Sequence, residues 1–263
     1  MENQYLKNIK KGMKVEILTK QNKIAKGIVE DLASRDSFNT YGITVRLKTG
    51  EIGRVQKIIL NNEEKNNKNL EEIELLIKNG ESLRVEFKSS CLWSLNFSDQ
   101  EIKQTKSYDL HTFKQKASKV IIARSIAAFL NSEGGNLIIG VKEKKGENDK
   151  VNHDFEIIGI QDEFKKLKDP NIDGYKRMIM DEILRSYFPS KIYNHLNDYI
   201  IMDFVEFDLN NEKRILCFLK IKKSDLKVFL DLTGKKIFMI RTDTENRMLE
   251  GEELVDYCMK RFK

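Results

Sequence analysis

The polar run NNEEKNNKN at residues 61–69 separates two stretches of sequence with different patterns. It has no apolar residue at any of its nine positions, so it has no periodic face that could be buried. Such a run predicts an exposed linker and a domain boundary. A chain of 263 residues is long enough for two unequal domains. We therefore expect a first domain over residues 1–60, a linker over 61–69 and a second domain over 70–263.

The first 60 residues contain four short segments in which apolar or β-branched residues alternate with polar ones. Polar or glycine-containing turns separate them, and the turn KTGE at residues 48–51 favours a hairpin. Several short strands in so short a stretch predict a small β-barrel of the SH3 or OB type. The segments are 13–19, 25–31, 41–48 and 52–60.

The positive charge of the chain is concentrated in this first stretch. Residues 1–60 hold 12 Lys and Arg against 6 Asp and Glu, whereas the remaining residues hold 35 of each kind. The net charge of +6 therefore lies entirely in the predicted barrel. This excess indicates either a bias that favours solubility or a sequence-independent attraction to nucleic-acid phosphates.

The pattern after residue 70 predicts an α+β domain in which helices cover a mixed sheet. Its strand SLRVEFK (82–88) alternates strictly, and NLIIGVKE (136–143) is apolar enough to be a largely buried strand. Residues 91–112 have no clear period and predict an irregular insertion. Helices are predicted over 70–80, 113–131, 173–189 and the C-terminus, with four further strands between the last two.

Glu86 and Lys88 lie two positions apart on one face of the predicted strand, about 7 Å apart along it. Such a pair is commonly a solvated surface ion pair of little energetic value. It can equally be part of a site that stabilises charge on a phosphate. Strict alternation places Glu81 on the opposite face, so Glu81 can join the other two only if the chain is still turning there.

Four separated blocks of the second stretch resemble the AlbA-like domain of Schlafen proteins over about residues 70–263. They are ESLRVEFK (81–88), AAFLNSEGG (127–135), NLIIGV (136–141) and KVFLDLTGKKIFMIRT (227–242), the last followed by RMLEGEEL. Residues 9–58 are similar to the small bacterial YwbE-like family, through KGMKVEIL, KGIVEDL, YGITVRL and GEIGRVQKI. The second resemblance implies a compact β domain and little about function.

The Schlafen resemblance implies a metal-dependent endoribonuclease that cuts structured RNA, most simply tRNA. In that family three carboxylates hold a divalent metal ion, and the matching positions here are Glu81, Glu86 and Glu143. Mg²⁺ and Mn²⁺ both prefer such hard oxygen ligands, and Lys88 would assist at the phosphate. The third position departs from the family, which usually has aspartate there and often an acidic residue at the place of Lys142. Glu147 and Asp149 are therefore alternative third ligands.

Basic residues of the second domain are candidates for contact with RNA phosphates. Arg241 matches an arginine that the family keeps, and it could contact phosphate or form a buried ion pair. Trp93 and Phe97 could stack on bases, although packing under a loop is the commoner role of such residues. The candidate cations are Lys103, Lys106, Lys114, Lys116, Lys119, Arg124 and Arg241.

The same resemblance suggests partners and a biological setting. Animal Schlafen cores contain two AlbA-like lobes and this chain has one, so a homodimer is expected, with toxin or antiphage defence as a context by analogy. A non-catalytic nucleic-acid-binding regulator on the same fold is the alternative, and the altered GVKE segment favours it. The chain has no nucleotide-binding glycine motif, no run of eighteen apolar residues and no apolar leader, so we expect a cytoplasmic protein without a nucleotide cofactor.

Overall fold

The computed structural model describes residues 2–34, 36–59, 62–144, 155–209 and 212–262. The chain divides into two compact units, Met1–Asn69 and Leu70–Lys263. Both β-strands and helices contribute to the fold, so the predicted α+β class is confirmed. Within the described ranges, no helix is both long and apolar enough to cross a bilayer.

The first unit is the small β-barrel that the alternating segments predict. Its strands are β1 (Lys14–Thr19), β2 (Ile24–Leu32), β3 (Thr44–Leu47) and β4 (Ile52–Ile59). Strand β1 pairs with both β2 and β4, and β3 also pairs with both, so the sheet closes on itself. Alternate strand residues such as Val15, Val45 and Val55 fill its core. The KTGE turn is a hairpin in which Leu47 donates its N–H to the Glu51 carbonyl at 2.8 Å.

The segment predicted as a linker is helical instead. Helix α1 (Asn62–Asn79) includes all but the first residue of the 61–69 run, and the boundary between the units falls within this helix. Glu and Lys are good helix formers, and an exposed helical turn needs no apolar face when an amphipathic stretch continues it. That stretch begins at Leu70, and Ile73 is fully buried in the second unit. The units divide after Asn69, where the second domain was predicted to begin, but the run is helical, because polarity indicates exposure and does not by itself indicate an irregular backbone.

The second unit contains a mixed four-stranded sheet and two smaller antiparallel sheets among the described residues. The strands of the larger sheet follow the order β5-β6-β10-β9, with β5 parallel to β6 and the other neighbours antiparallel. The smaller sheets are β7-β8 and β11-β12-β13. In chain order the strands are β5 (Val85–Lys88), β6 (Gly135–Ile139), β7 (Val141–Glu143), β8 (Phe155–Ile157), β9 (Ile200–Leu209), β10 (Glu212–Ile221), β11 (Phe229–Leu232), β12 (Lys235–Thr242) and β13 (Glu245–Leu249).

Helix α4 (Ala117–Asn131) lies at the centre of this unit, and most of its residues are buried. It shares one apolar core with residues of β6, β10 and β11. The helix predicted over 173–189 is a continuous helical stretch with a π-helical turn at Ile179–Leu184. The other helices are α2 (Asp99–Gln104), α3 (Tyr108–Phe113), α5 (Ile172–Met178), α6 (Arg185–Tyr187), α7 (Ser190–Asn194), α8 (Leu196–Tyr199) and α9 (Gly251–Arg261).

Two differences from the predicted elements bear on the site. Residues 91–112 contain helical turns, α2 and α3 among them, rather than an irregular loop. The strand predicted over 136–143 is broken at Gly140, whose φ of +105° is rarely accessible to other residues. A Cβ on Gly140 would lie 2.7 Å from a Leu216 methyl carbon, so the break is tightly packed. As a result β7, which carries Glu143, belongs to a different sheet from β5.

Candidate functional site

The chain turns sharply just before β5, and this turn brings Glu81 alongside the strand. The backbone groups of Ser82 and Val85 bond to each other in both directions, at 3.0 and 3.2 Å. Glu81 Oε1 accepts a hydrogen bond from the Phe87 N–H at 2.8 Å. The bend that Glu81 needs in order to lie near Glu86 is therefore present, and the regular strand begins only at Val85.

Glu86 is a buried carboxylate, 2% exposed, with polar partners on both of its oxygens. Its Oε1 accepts a hydrogen bond from the Ser125 hydroxyl at 3.0 Å and lies 2.6 Å from the Lys88 ammonium. Its Oε2 accepts from Arg241 Nη1 at 3.0 Å. The Asn246 amide nitrogen lies 3.0 Å from each oxygen. Glu86 and Lys88 are thus on one face, as the spacing predicts, but the Glu86 carboxylate is buried rather than on a solvated edge, and the Lys88 side chain is 28% exposed.

Arg241 is also buried, with a side chain that is 0% exposed. Besides Glu86, its guanidinium donates to the carbonyls of Ser82 at 3.1 Å and Val85 at 3.0 Å. Its carbon lies 5.3 Å from the centre of the Phe129 ring, within the range of a cation–π contact. Of the two roles open to Arg241 in the sequence, the structure therefore shows the buried ion pair.

The hairpin of β12 and β13 explains how Arg241 and Asn246 come together. The two residues are register partners across this hairpin, so their side chains lie on the same face of the sheet. Asn246 also accepts a hydrogen bond from Arg241 Nη1 at 3.2 Å. Neither Asn246 nor Ser125 was predicted from the sequence to belong to a site. The hairpin register could have identified Asn246 from the sequence. A two-residue turn at Asp243 and Thr244 makes Asn246 the register partner of Arg241.

The residues around Glu86 do not fit the divalent metal that the Schlafen resemblance implies. A carboxylate offers about four lone-pair positions, and the Glu86 oxygens already meet two cations, an amide and a hydroxyl. The adjacent charges of Arg241 and Lys88 would repel a third cation.

The other two predicted ligands do not complete a metal site either. Glu143 is exposed on β7, outside the sheet that carries Glu86. In the part of the chain that the structure describes, no three His, Cys, Asp or Glu side chains are grouped so that they could hold a metal ion. The expected convergence of Glu81, Glu86 and Glu143 is therefore not observed. The alternative ligands Glu147 and Asp149 lie outside the described residues.

Glu81 lies at the half-buried edge of the group and has a perturbed acidity. Burial raises the pKa of Glu81 above its ordinary value of 4.5, and the negative charge of Glu86 acts in the same direction. The Phe87 N–H and the positive charges of Lys88 and Arg241 oppose this rise in pKa. The whole group is a pair of carboxylates balanced by two cations, an arrangement suited to holding the strand, the hairpin and α4 together.

Comparison with known proteins assigns most of the chain to a family. The family model described as "Schlafen, AlbA_2" matches residues 81–250. The chain belongs to the Schlafen AlbA_2 family. This membership indicates a nucleic-acid-related function. The second unit is called the AlbA_2 domain below.

The first unit has relatives of its own. Residues 2–58 match the model described as "Uncharacterized conserved protein (DUF2196)". The uncharacterized protein YwbE of Bacillus subtilis (strain 168) is 38% identical over 63 residues, which is 22% of this chain and 97% of YwbE. Among solved structures, the DIP2311 protein from Corynebacterium diphtheriae matches with a TM-score of 0.37 and 14% identity. That match covers 76% of this chain but only 29% of the DIP2311 chain.

The cations predicted to contact nucleic acid have two kinds of environment in the AlbA_2 domain. Arg124 pairs with Asp109 at 2.7 Å, Lys119 pairs with Glu182, and Arg241 is buried. These three cations are already partnered by carboxylates. The other four are exposed on the segment that holds α2 and α3, and we call them the insertion lysines: Lys103, Lys106, Lys114 and Lys116.

A small apolar core fixes the backbone beneath the insertion lysines. Ile102, Leu110 and Ala117 are buried there, and the half-buried rings of Trp93 and Phe97 pack against them. Those two rings meet edge to face, with centroids 6.0 Å apart. Trp93 and Phe97 therefore pack under the segment rather than offering a stacking surface.

Residues 129–132, which read FLNS, have structural roles at the end of α4. The Asn131 amide donates to the carbonyls of Val228 at 2.8 Å and Met239 at 2.9 Å, and its oxygen accepts the Val228 N–H at 2.9 Å. The Ser132 hydroxyl accepts the Arg241 N–H at 2.9 Å. This block therefore joins α4 to the β11-β12-β13 sheet.

Proposed function

We propose that this protein binds RNA through its AlbA_2 domain and does not cleave it by metal-dependent chemistry at Glu86. The observation that supports the proposal is the pairing of Glu86 with Arg241 and Lys88, at 3.0 and 2.6 Å. An ion pair so deeply buried resists opening, because separation would leave an uncompensated charge in the interior. The proposal keeps the nucleic-acid-related function that family membership indicates and drops the metal site.

The insertion lysines are the surface proposed to contact RNA phosphates. In the described ranges none of the four lies within ion-pairing distance of a carboxylate. Two of the nearby acidic residues have other partners, since Glu101 accepts the Ser98 N–H in a capping box and Asp109 binds Arg124. The positive charge of the segment is therefore available to an incoming phosphate chain.

An exposed aromatic ring lies between these lysines in sequence. Tyr108 is 72% exposed, far more than a tyrosine that serves the core. An exposed ring beside cations can stack on an unpaired base, an interaction worth about 1–3 kcal/mol per base. Tyr108 and the insertion lysines together form a surface suited to single-stranded or looped RNA.

The more specific function that the Schlafen resemblance implies remains a prediction, and it competes with this proposal. It is a tRNA endoribonuclease with Mg²⁺ or Mn²⁺ at Glu81, Glu86 and Glu143, acting in defence as a homodimer. In this structure it would require Arg241 to release Glu86. Self-association is a separate prediction, which light scattering of the full chain checks.

One experiment compares the two readings. Labelled tRNA is incubated with the protein in Mn²⁺, in Mg²⁺ and in EDTA, and binding and cleavage are followed on native and denaturing gels. We expect a retarded tRNA band in all three conditions and no metal-dependent fragments. Fragments that require metal and disappear with Glu86→Gln, while circular dichroism shows an intact fold, would overturn the proposal.

A charge-matched pair of variants tests the binding surface. Replacing the four insertion lysines with Gln should weaken tRNA binding and lower the slope of log K against log salt by about 3, since each phosphate contact contributes about 0.7–0.9. The control replaces four exposed lysines elsewhere in the domain and should leave the slope nearly unchanged. An equal loss in both variants would contradict a localised surface. The control positions are Lys176, Lys191, Lys235 and Lys260.

A further inference from the structure

A basic groove of about 700 Å³ opens at one end of the four-stranded sheet, where β5 and β6 begin and β10 ends. It lies in the AlbA_2 domain, at a place that the sequence analysis did not identify. Four cationic side chains, one amide and one carboxylate supply its charged and polar lining. These residues are Arg84, Glu133, Asn136, Lys220, Lys222 and Lys223.

The glycine pair of the LNSEGG block brings the walls of this groove together. Gly134 has a φ of +71°, and a Cβ there would lie 2.5 Å from the Ile221 carbonyl oxygen. A Cβ on Gly135 would lie 2.7 Å from the Arg84 carbonyl oxygen. Only glycines allow the start of β6 to approach both neighbouring strands so closely. Cations from the ends of β5 and β10 therefore surround one opening.

The single carboxylate in the lining leaves most of this charge uncompensated. Glu133 lies 3.7 Å from Arg84 Nη2 and 3.5 Å from Lys223 Nζ, longer than the 2.7–2.9 Å of a strong charged hydrogen bond. These three side chains are between 44% and 62% exposed, so the pairs are weak. Lys222 is exposed and has no carboxylate partner among the described residues.

Lys220, 29% exposed, is the cation of the lining with the most contacts outside the groove. Its ammonium pairs with Glu72 at 2.5 Å and lies 4.7 Å from the centre of the Phe218 ring. Asn136 lies opposite Lys220 as its register partner, half-buried, with its amide in the lining. The groove thus combines a partnered lysine, Lys220, with exposed cations at Arg84, Lys222 and Lys223.

We infer that this groove binds the phosphodiester backbone of the same RNA as the insertion lysines, an inference that rests on the proposed function. The guanidinium of Arg84 offers two parallel donors for phosphate oxygens, and the ammonium groups of Lys222 and Lys223 add point charges. The side chain of Ile201, 45% exposed at the edge, offers an apolar contact for a ribose. Phosphate binding by charge and shape, without base contacts, is the usual means of sequence-independent recognition.

The two basic surfaces lie next to opposite ends of α4 in the chain. The insertion lysines end at Lys116, just before α4, and the groove begins at Glu133, just after it. Helix α4 has 15 residues, so it is about 22 Å long at 1.5 Å per residue. That distance corresponds to about seven nucleotides at 3.4 Å per step of a stacked strand. A short oligonucleotide therefore cannot reach from one surface to the other.

The test uses the full chain with Arg84, Lys222 and Lys223 all replaced by Gln. For a twelve-nucleotide RNA we expect the affinity of this variant to be at least about tenfold lower than that of the wild type, and the slope of log K against log salt to be lower by about 2. The control replaces Lys176, Arg185 and Lys191 with Gln and should bind like the wild type. Glu133→Gln, which removes the only carboxylate of the lining, should bind RNA more tightly.

The outcomes separate this inference from the proposed function. If the insertion-lysine variant loses RNA binding while the groove variant matches its control, the groove inference is overturned and the proposed function stands. If the wild type does not bind RNA, both fail. A four-nucleotide RNA can contact only one surface at a time, so in the wild type its salt slope should be smaller than that of the twelve-nucleotide RNA. If ATP binds the groove and the groove variant loses ATP but not RNA, the ligand is a small phosphorylated molecule and the RNA assignment is wrong.

Discussion

The Glu86 carboxylate and the Arg241 guanidinium meet at 3.0 Å although the two residues lie 155 positions apart in the chain. Both side chains are at most 3% exposed. The pair connects β5 of the large sheet with β12 of the small sheet, and Ser125 of α4 bonds to the same carboxylate at 3.0 Å. Three parts of the AlbA_2 domain therefore depend on one buried charge being neutralised.

Arg241→Met should strongly destabilise the domain, because it leaves Glu86 charged and buried with only Lys88 as a cation. We expect the free energy of unfolding to fall by about 3–5 kcal/mol, the usual cost of breaking a buried pair. Urea unfolding followed by circular dichroism measures this change. Arg247→Met is the control, since Arg247 pairs with Glu253 on the surface, where both side chains are more than half exposed, and should change little.

A second variant checks that the charge is responsible. Glu86→Gln together with Arg241→Met removes both charges, so the double variant should be less destabilised than the sum of the two single changes. Additive effects in this double-mutant cycle would contradict a direct ionic interaction between Glu86 and Arg241.

Asn131→Ala should also destabilise the AlbA_2 domain, through hydrogen bonds rather than charge. The buried Asn131 amide forms hydrogen bonds with three backbone groups: the carbonyl and the N–H of Val228, which precedes β11, and the carbonyl of Met239 in β12. Unpaired buried polar groups cost about 1–3 kcal/mol each, so we expect a loss of about 2–4 kcal/mol in urea unfolding. Asn96→Ala, at an exposed asparagine whose partner is the Lys166 ammonium, should change stability by less than about 1 kcal/mol. Equal losses at the two positions would refute the role given to Asn131.

Local pattern was enough to predict much of this fold. Alternation predicted the four barrel strands, and the 3.6-residue period predicted α4, because both features report one buried face of a local element. The polar run at 61–69 predicted the division of the chain at residue 70 but not its helical backbone, because a polar run can begin a helix whose apolar face comes later. The strand over 136–143 was too long because the break at Gly140 depends on packing against Leu216, which is distant in sequence.

The site was harder to predict than the elements that carry it. Spacing placed Glu86 and Lys88 on one face and required a bend at Glu81, and both features are present. The identity of the Glu86 partners depends on a hairpin more than 150 residues away, which no local period encodes. Sequence therefore drew attention to Glu86 but could not show that Glu86 is buried or that the Arg241 guanidinium lies beside it.

The three cysteines should differ in reactivity. Cys91 and Cys217 are buried, and Cys258 is only partly buried. Burial raises the pKa of all three thiols, which lowers the fraction of reactive thiolate. Ellman's reagent at pH 8 should therefore modify one thiol slowly in the native protein and three in 6 M guanidinium chloride. Cys258→Ser should abolish the native reaction, and a native reaction at Cys91 or Cys217 would show that the core opens.

Glu81 should make the stability of the domain depend on pH in a direction opposite to that of an ordinary paired carboxylate. Burial raises the pKa of Glu81 in the folded state above its ordinary 4.5. The folded state therefore binds the proton more tightly, and the contribution of Glu81 is most favourable below pH 4.5 and is lost as pH rises through the raised pKa. Urea unfolding between pH 4 and 7.5 should show Glu81→Gln gaining stability relative to the wild type as pH increases.

Glu101 provides the matched control for this measurement. The Ser98 N–H lowers the pKa of Glu101 below 4.5, so its contribution is present above pH 4.5 and is lost as pH falls through the lowered pKa. Glu101→Gln should therefore leave the difference from the wild type constant between pH 5 and 7.5, where Glu81→Gln changes it. A flat difference for Glu81→Gln, or one that falls with increasing pH, would show that Glu81 is solvated and that the turn at Ser82 does not bury it beside Glu86.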